Sequence, residues 1–158
     1  MTAMTDEKLA AMSPAERGDW VYSILHARHN RINKGMPFIK KMLDAGVSFS
    51  EEHRNTLIHR IIETPAKVLI DDFIQKGNIS PYPTDASDNC AVLHSAIIRF
   101  DSISLKKLLP YYRKPEYANR LSTILFDCAK TFTIPELHNK KKEMLIIVMN
   151  HGARMPAS

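Results

Sequence analysis

Self-similarity along the chain constrains its fold more than any other feature of the sequence. Three six-residue segments resemble one another: T-L-I-H-R-I beginning at Thr56, A-V-L-H-S-A beginning at Ala91 and T-I-L-F-D-C beginning at Thr123. Their spacing of roughly 33 residues is typical of proteins that stack helix pairs along one direction. A single helix pair has an apolar face too small to fold alone, so each pair packs on its neighbours. The period therefore predicts a helical repeat protein.

Local signals also indicate helices. Ser13, followed by Pro14 and by Glu16, forms a capping box that predicts the start of a helix running toward His29. Sustained period-two alternation and the Asn-Gly or Asp-Gly pairs of tight hairpins are absent from the sequence. The sequence therefore predicts an all-α chain.

Proline and glycine mark the ends of two further predicted helices. Thr64–Pro65 precedes apolar residues with helical spacing that end at Gly77, and Met36–Pro37 precedes a similar run that ends at Gly46. Each helix is expected to have about three turns. From Gly77 to Asn89, two prolines and several small polar residues predict a connecting loop within one domain.

The three segments resemble the start of the ankyrin repeat, whose hallmark T-P-L-H-x-A opens the first helix of each unit. The resemblance extends to the second helix, where an ankyrin unit has paired apolar positions. The residues at these positions are Phe38–Ile39, Met42–Leu43, Leu69–Ile70, Phe73–Ile74, Ser104–Leu105, Leu108–Leu109, Met144–Leu145 and Val148–Met149. The hallmark proline and the glycine between the two helices are missing, which indicates a divergent member of the family or a related helix-pair solenoid.

The resemblance implies one all-α domain, 1–158, that folds as a helix-turn-helix repeat solenoid. Its N-terminal cap is expected at 1–18, and its four repeats at about 19–50, 51–85, 86–117 and 118–155. The second and third repeats match the ankyrin pattern best, and the first matches it least.

The resemblance also implies non-catalytic binding of another protein through the concave face of the solenoid. That face is built by the first helix of each unit and by the loop before it. The expected partner-binding residues are Arg54, Arg60, Glu63, Asn89, Ser95, Arg99, Arg120, Asp127 and Lys130. Their mixed charges predict a polar, salt-sensitive contact. Arg60 and Arg99 are expected to face the groove together, and the alternative is that they pair with Glu63 and Asp101.

For the histidine and cysteine residues that could bind a metal or act as nucleophiles, the sequence favours structural roles. His59 and His94 occupy equivalent repeat positions, where the resemblance implies a structural hydrogen bond between loops. His26 and His29 have no third metal ligand at a recognisable spacing, and the repeat register makes Cys128 a small buried apolar residue. Motifs of nucleophilic, phosphate-binding and zinc-peptidase sites are absent. The sequence thus predicts no catalysis, no cofactor and no metal.

Basic clusters support an alternative function. The formal net charge is +5, with 22 basic and 17 acidic residues. Arg28, Arg31 and Lys34 are expected in one loop, and Lys140–Lys142 at the start of the last helix. A solvated face is the simpler interpretation, and no aromatic residues are interleaved with these lysines as a single-stranded nucleic-acid site would prefer. The alternative is that the chain binds nucleic acid or another anionic partner through these basic loops.

The cellular compartment is expected to be the cytoplasm. The segment 1–20 carries acidic residues among its apolar ones, which argues against a secretory signal, and the longest apolar runs are too short to span a bilayer. The chain has only two cysteines, Cys90 and Cys128, which lie far apart and form no CxxC motif, so the sequence does not indicate a disulfide scaffold and a reducing compartment is expected. Delivery into a host cell without a signal is compatible with these features. By analogy, small ankyrin-like chains of this kind act as effectors, inhibitors or immunity proteins.

Overall fold

Helices account for all regular structure in the described part of the chain. The structure, a computed structural model, describes residues 4–83, 90–131 and 138–150, with side chains for all of these except 125–131 and 138. The α-helices are α1 (Asp6–Ala11), α2 (Pro14–Leu25), α3 (His29–Ala45), α4 (Glu51–Ile62), α5 (Ile70–Gln75), α6 (Ala91–Ile98), α7 (Ser102–Leu108), α8 (Ala118–Thr131) and α9 (His138–Asn150). Short 3₁₀ helices form at Pro65–Leu69, Leu109–Tyr112 and Pro115–Tyr117. The predicted all-α class is confirmed.

Contacts within the chain divide it into two compact units, Met1–Asp85 and Ala86–Ser158. The boundary falls inside the segment 77–89, for which the sequence predicts a loop. No helix occurs in the part of this segment that the structure describes, which ends at residue 83. The organisation as a single domain with a cap and four repeats stays a prediction.

The first unit contains two helix pairs. α2 packs against α3, and α4 packs against the 3₁₀ helix Pro65–Leu69. α3 also packs against that 3₁₀ helix and against α5, so the second elements of the two pairs lie side by side. The first helices lie side by side as well, since Tyr22 of α2 stacks on His53 of α4 with ring centroids 3.8 Å apart. The fully buried side chains include Val21, Leu25, Ile32, Ile39, Met42, Ile58, Ile61, Ile70 and Phe73.

The second unit contains two further pairs. α6 packs against α7, and α8 packs against α9. Contacts also join α6 to α8 and α7 to α9, so first helix lies beside first helix and second beside second. The fully buried side chains of this unit include Val92, Leu93, Ala96, Leu105, Leu108, Leu109 and Tyr112.

The capping box predicted for α2 is present. The Ser13 hydroxyl accepts a hydrogen bond from the Glu16 N–H at 3.2 Å, and the Glu16 carboxylate accepts one from the Ser13 N–H at 3.1 Å. The helix ends at Leu25, earlier than the predicted end near His29. Pro14 has no N–H, so three N–H groups at the start of α2 need partners, and the capping box pairs two of them. The start of the helix is therefore encoded locally.

The predicted start of α3 at Pro37 is wrong. α3 begins at His29 and continues through Pro37, and it ends before Gly46, whose φ of +97° matches the predicted glycine stop. The N–H that proline lacks would lie on the exposed face of the helix, where water can satisfy the carbonyl left without a partner. The opposite face is buried from Ile32 to Leu43, so packing outweighs the local penalty.

The helix predicted from Thr64 forms in two pieces. The Thr64 hydroxyl accepts a hydrogen bond from the Ala66 N–H at 3.2 Å, as expected of a cap, but the first turn is the 3₁₀ helix and only then does α5 follow. The left-handed residue after α5 is Asn78, with φ of 56°, rather than Gly77. Glycine is needed at Gly77 for another reason, since a Cβ there would lie 2.8 Å from the carbonyl oxygen of Phe73.

Candidate functional site

The first two repeated segments have the same pattern of burial in α4 and α6. In each segment the second, third and sixth positions are buried and the other three are half-buried, and the residue after the segment is buried too. The buried residues are Leu57, Ile58, Ile61 and Ile62 in α4 and Val92, Leu93, Ala96 and Ile97 in α6. In the third segment, Ile124 is buried, and the side chains from residue 125 to the end of the segment, including Cys128, lie outside the described residues.

The paired apolar positions of the second helices also reach the core. Each predicted pair places at least one residue among the buried side chains. The buried members are Ile39, Met42, Leu43, Ile70, Phe73, Ser104, Leu105, Leu108, Leu109, Met144 and Val148. Met149 departs from the pattern, since 51% of its surface is exposed.

The partner-binding residues predicted in the first unit are partly engaged by the protein itself. Arg60 donates a hydrogen bond from Nε to the backbone carbonyl of Leu25 at 2.8 Å, and its Nη1 lies 3.9 Å from Oε2 of Glu63. Arg60 and Glu63 are thus brought together as an ion pair. Arg54 is half-buried on α4, and its backbone carbonyl accepts a hydrogen bond from the Ser80 N–H at 2.8 Å.

The residues predicted in the second unit lie on α6 and α8. Ser95 is half-buried in α6, and the exposed Arg99 follows the last residue of that helix. Arg120 is half-buried on α8. Asn89 lies outside the described residues, as do the side chains of Asp127 and Lys130, although both belong to α8.

The four histidines singled out in the sequence lie in two kinds of position. His26 and His29 do not share one helix face, because His26 follows the last residue of α2 and His29 is the first residue of α3. His26 lies beside the ring of Tyr22 with centroids 4.5 Å apart, and its Nδ1 is 2.9 Å from the Tyr22 carbonyl oxygen. His59 and His94 are half-buried at equivalent positions of α4 and α6, as the repeat register predicts.

An open cleft lies where α2 turns into α3, within the first unit. We call it the α2–α3 cleft. Its volume is about 630 Å³, within the range of roughly 300 to 1,000 Å³ that is usual for ligand sites. The residues that line it are Met4, Trp20, Ile24, His26, Ala27, Arg28, Asn30, Arg31, Lys34, Gly35 and Phe38. Sequence analysis did not identify this cleft.

Close packing of the two helices builds the apolar part of the cleft. A Cβ on Gly35 would lie 3.3 Å from the indole Cη2 of Trp20 and 3.4 Å from a methyl group of Ile24, so glycine lets α3 approach these side chains. Trp20 and Phe38 are half-buried. The ammonium group of Lys41 lies 5.7 Å from the centroid of the Phe38 ring and occupies one side of that ring. The apolar surface is therefore held in place by backbone proximity and by neighbouring side chains.

The basic part of the cleft comes from the first turns of α3. Arg28, Arg31 and Lys34 all line the cleft and are exposed. Arg28 lies just before α3, as its N-cap residue, in the connection from α2. The expected loop location is wrong for Arg31 and Lys34, which lie three apart on one face of α3. The lining residues that the structure describes do not include a carboxylate. Three cations and an apolar surface therefore share one cleft.

Metal sites and membrane-spanning helices were also sought among the described residues. Among them, no three His, Cys, Asp or Glu side chains lie together as metal ligands would. None of the helices in this part of the chain is both long and apolar enough to cross a lipid bilayer. Comparison of the chain with protein-family models, with curated proteins and with solved structures finds no match.

Proposed function

We propose that this chain is a non-catalytic protein-binding module built from ankyrin-like helix pairs. The observation that carries the proposal is the burial pattern shared by 56–62 and 91–97, where seven consecutive positions of α4 and α6 agree. In a helix-pair repeat, positions with equal register have equal surroundings, because each unit repeats the packing of the one before it. The polar residues that remain half-exposed then form the variable, partner-selecting positions.

Helix packing within each unit supports the same proposal. First helices lie beside first helices and second beside second, both in the unit that ends at Asp85 and in the unit that begins at Ala86. This side-by-side arrangement is how helix-pair repeats bury a continuous core. It leaves one side of each first helix for contacts with a partner, and Ser95 and Arg99 lie on or next to such a helix.

Affinity capture tests the proposal. The full chain, immobilised through an added tag, is incubated with lysate of its source cells, and retained proteins are identified by mass spectrometry. A specific protein that also binds the purified chain in isothermal titration calorimetry supports the proposal. Turnover of a small molecule by the purified chain, with no retained protein, would overturn it.

Two arginine variants then locate the contact. We expect Arg99→Ala to weaken binding of the purified partner by about 1 to 3 kcal/mol, since arginine at an interface commonly anchors carboxylates. Lys141→Ala on α9 is the control, with expected affinity close to that of the unchanged chain. Loss of binding in the Lys141 variant, with unchanged binding in the Arg99 variant, would move the contact to the basic start of α9.

A further inference from the structure

We infer that the outer face of α9, formed by Lys142, Ile146 and Met149, docks on an anionic lipid surface. Ile146 and Met149 are then seated at the boundary between headgroups and acyl chains, and the lysines at the start of α9 pair with lipid phosphates. Such docking lies at the surface of a bilayer and needs no membrane-spanning helix. The inference goes beyond the proposed function, because it gives the module a second binding surface.

The outer face of α9 is apolar at positions where a surface helix is usually polar. Lys142, Ile146 and Met149 follow one another at intervals of four and three residues, so they share one face of the helix. The exposed fraction is 48% for Ile146 and 51% for Met149. The buried residues on the other side of the helix are Met144, Ile147 and Val148. α9 is thus apolar on two sides, and folding of the second unit covers one of them.

Exposed apolar side chains are concentrated in the unit that contains α9. Among the described residues, five large apolar side chains are exposed, and four of them belong to the second unit. These four are Ile98, Ile103, Ile146 and Met149. Grouped apolar residues on a protein surface are typical of sites that bind a protein or a membrane.

Charge favours an anionic occupant for this face. The first unit has 11 basic and 11 acidic residues and the second has 11 basic and 6 acidic residues, so the whole net charge of +5 belongs to the second unit. However the charged groups of the second unit pair with one another, its cations outnumber its carboxylates by five. A second copy of the chain would bring the same excess of positive charge, so repulsion disfavours self-association through α9.

Three lysines at the start of α9 are placed against the helix dipole. Lys140, Lys141 and Lys142 are the third to fifth residues of the helix, where the dipole is partly positive and favours acidic side chains. Four of the five α-helices of the first unit have an acidic residue in the first turn, whereas α6, α7, α8 and α9 have none. Departures from local preference are expected at functional sites. Phosphate groups of a lipid surface supply a role for these lysines.

The aliphatic side chains favour a lipid surface over a nucleic acid. Single-stranded nucleic acids are bound by cations together with aromatic rings that stack on bases, and isoleucine and methionine offer no such ring. A lipid surface presents phosphate and hydrocarbon in adjacent layers, and helices with lysine beside an apolar face bind at that boundary. A planar anionic layer also attracts every cation within a Debye length of it, which suits an excess of charge spread over a whole unit.

Vesicle sedimentation tests the inference with the full chain. One set of vesicles consists of phosphatidylcholine alone, and the other of equal parts of phosphatidylcholine and phosphatidylserine. We expect the chain to sediment with the vesicles that contain phosphatidylserine and to bind phosphatidylcholine vesicles at least tenfold more weakly. Added salt is expected to weaken the binding, because it screens the charges.

Substitutions on α9 locate the docking surface. Ile146→Ser and Met149→Ser are each expected to weaken binding about fivefold or more, since about half of each side chain is still exposed and available for burial. Lys142→Glu reverses the charge of an exposed residue and is expected to weaken binding about tenfold or more. Circular dichroism verifies that the variants keep their helix content.

Two matched controls come from the first unit. Val68→Ser removes an apolar side chain that is 48% exposed, the same fraction as for Ile146. Lys34→Glu makes the same change in net charge as Lys142→Glu, also at an exposed residue. Both control variants are expected to bind phosphatidylserine vesicles within twofold of the unchanged chain.

Four results would overturn the inference. They are no binding to phosphatidylserine vesicles, equal binding to phosphatidylcholine vesicles, equal weakening by the control variants, or a dimer in sedimentation velocity that Ile146→Ser abolishes while vesicles are not bound. The last result would assign the outer face of α9 to a second copy of the chain. Capture of a partner protein without vesicle binding would count against the inference alone, and vesicle binding without a captured protein would count against the proposed function alone.

Discussion

Arg60 on α4 donates a hydrogen bond to the backbone carbonyl of Leu25, the last residue of α2. The last four carbonyls of a helix have no partner within the helix, and the helix dipole makes that end partly negative. A guanidinium placed there satisfies a carbonyl and offsets the partial charge. The bond also joins the first helices of two neighbouring pairs, so Arg60 has a role in the scaffold of the first unit.

Arg60→Ala is therefore expected to lower the free energy of unfolding even when no partner is present. The loss should be about 1 kcal/mol, because the Arg60 side chain that donates the bond is half-exposed, so the bond replaces one with water and its net contribution is modest. The ion pair with Glu63 should add little, since both side chains are more than a third exposed to solvent. Urea denaturation monitored by circular dichroism measures the change. Arg113→Ala, at an exposed arginine, is the control, and an equal loss in both variants would contradict the assignment.

The start of α2 could be predicted from the sequence, whereas the start of α3 could not. A capping box depends on Ser13 and Glu16 alone, and these residues are three apart in the chain. At Pro37, by contrast, a local preference for ending a helix competes with the packing of residues on either side of it. The buried spacing from Ile32 through Gly35 to Ile39 follows the helical period and outweighs the proline.

The same error concealed the α2–α3 cleft. With Arg28, Arg31 and Lys34 in a loop, their side chains have no fixed relationship to one another or to Trp20. Once α3 begins at His29, Arg31 and Lys34 share a helix face and Arg28 is the N-cap residue, and Gly35 sets the distance between that helix and Trp20. A spacing of three between basic residues, followed by glycine, was the available signal.

Gly18 illustrates a role that only the tertiary structure gives. A Cβ at Gly18 of α2 would lie 2.5 Å from the backbone oxygen of Ser48, in a segment held to α2 by a hydrogen bond from the Ser48 N–H to the Pro14 carbonyl at 2.9 Å. By helix propensity alone, Gly18→Ala would stabilise α2 by about 1 kcal/mol. We expect the opposite sign, a destabilisation of about 1 to 3 kcal/mol, because a backbone atom has to move.

Gly35→Ala is the matched variant for this test. Its Cβ would meet side-chain atoms of Trp20 and Ile24 at 3.3 and 3.4 Å, and side chains yield more easily than backbone. The loss of stability, measured by thermal denaturation, should therefore be smaller than for Gly18→Ala. A Gly18→Ala protein as stable as the unchanged chain would show that the segment around Ser48 moves without cost.

Stability in acid should depend in part on the capping box of α2. Hydrogen bonds from the backbone N–H of Ser13, and then from its side chain, lower the pKa of Glu16 below its ordinary value. A carboxylate whose pKa is lowered by folding stabilises the protein above its ordinary pKa, and this contribution is lost as the pH falls through the folded value. Glu16→Gln keeps an oxygen that can accept the bond but cannot titrate. The difference in Tm between the two proteins should narrow from neutral to acidic pH, and a constant difference would contradict the assignment.

The turn from α6 to α7 contains a residue in an unfavourable backbone conformation. Phe100 has a φ of 54°, the left-handed region that favours glycine, at the inter-helix turn where the ankyrin resemblance expects one. Its N–H donates to the Ile97 carbonyl at 3.0 Å, and the Asp101 N–H donates to the Ala96 carbonyl at 2.8 Å. These two bonds form a Schellman motif, the usual helix ending for which glycine is selected. Phe100 thus adopts, with strain, the left-handed conformation that glycine would adopt at this position.

Replacing Phe100 by glycine and by alanine separates the backbone from the ring. Both variants lose the contact of the Lys140 ammonium group with the Phe100 ring, which lies 5.6 Å from it, so this loss cancels between them. Alanine keeps the strain of the left-handed conformation, whereas glycine relieves it. Glycine also makes the unfolded chain more flexible, which offsets part of the stabilisation. We expect Phe100→Gly to be more stable than Phe100→Ala by about 1 kcal/mol in urea denaturation. The same two substitutions at Lys106, within α7, should give the opposite order, since alanine is favoured over glycine inside a helix. The same order at both positions would mean that the turn relaxes to a conformation without strain.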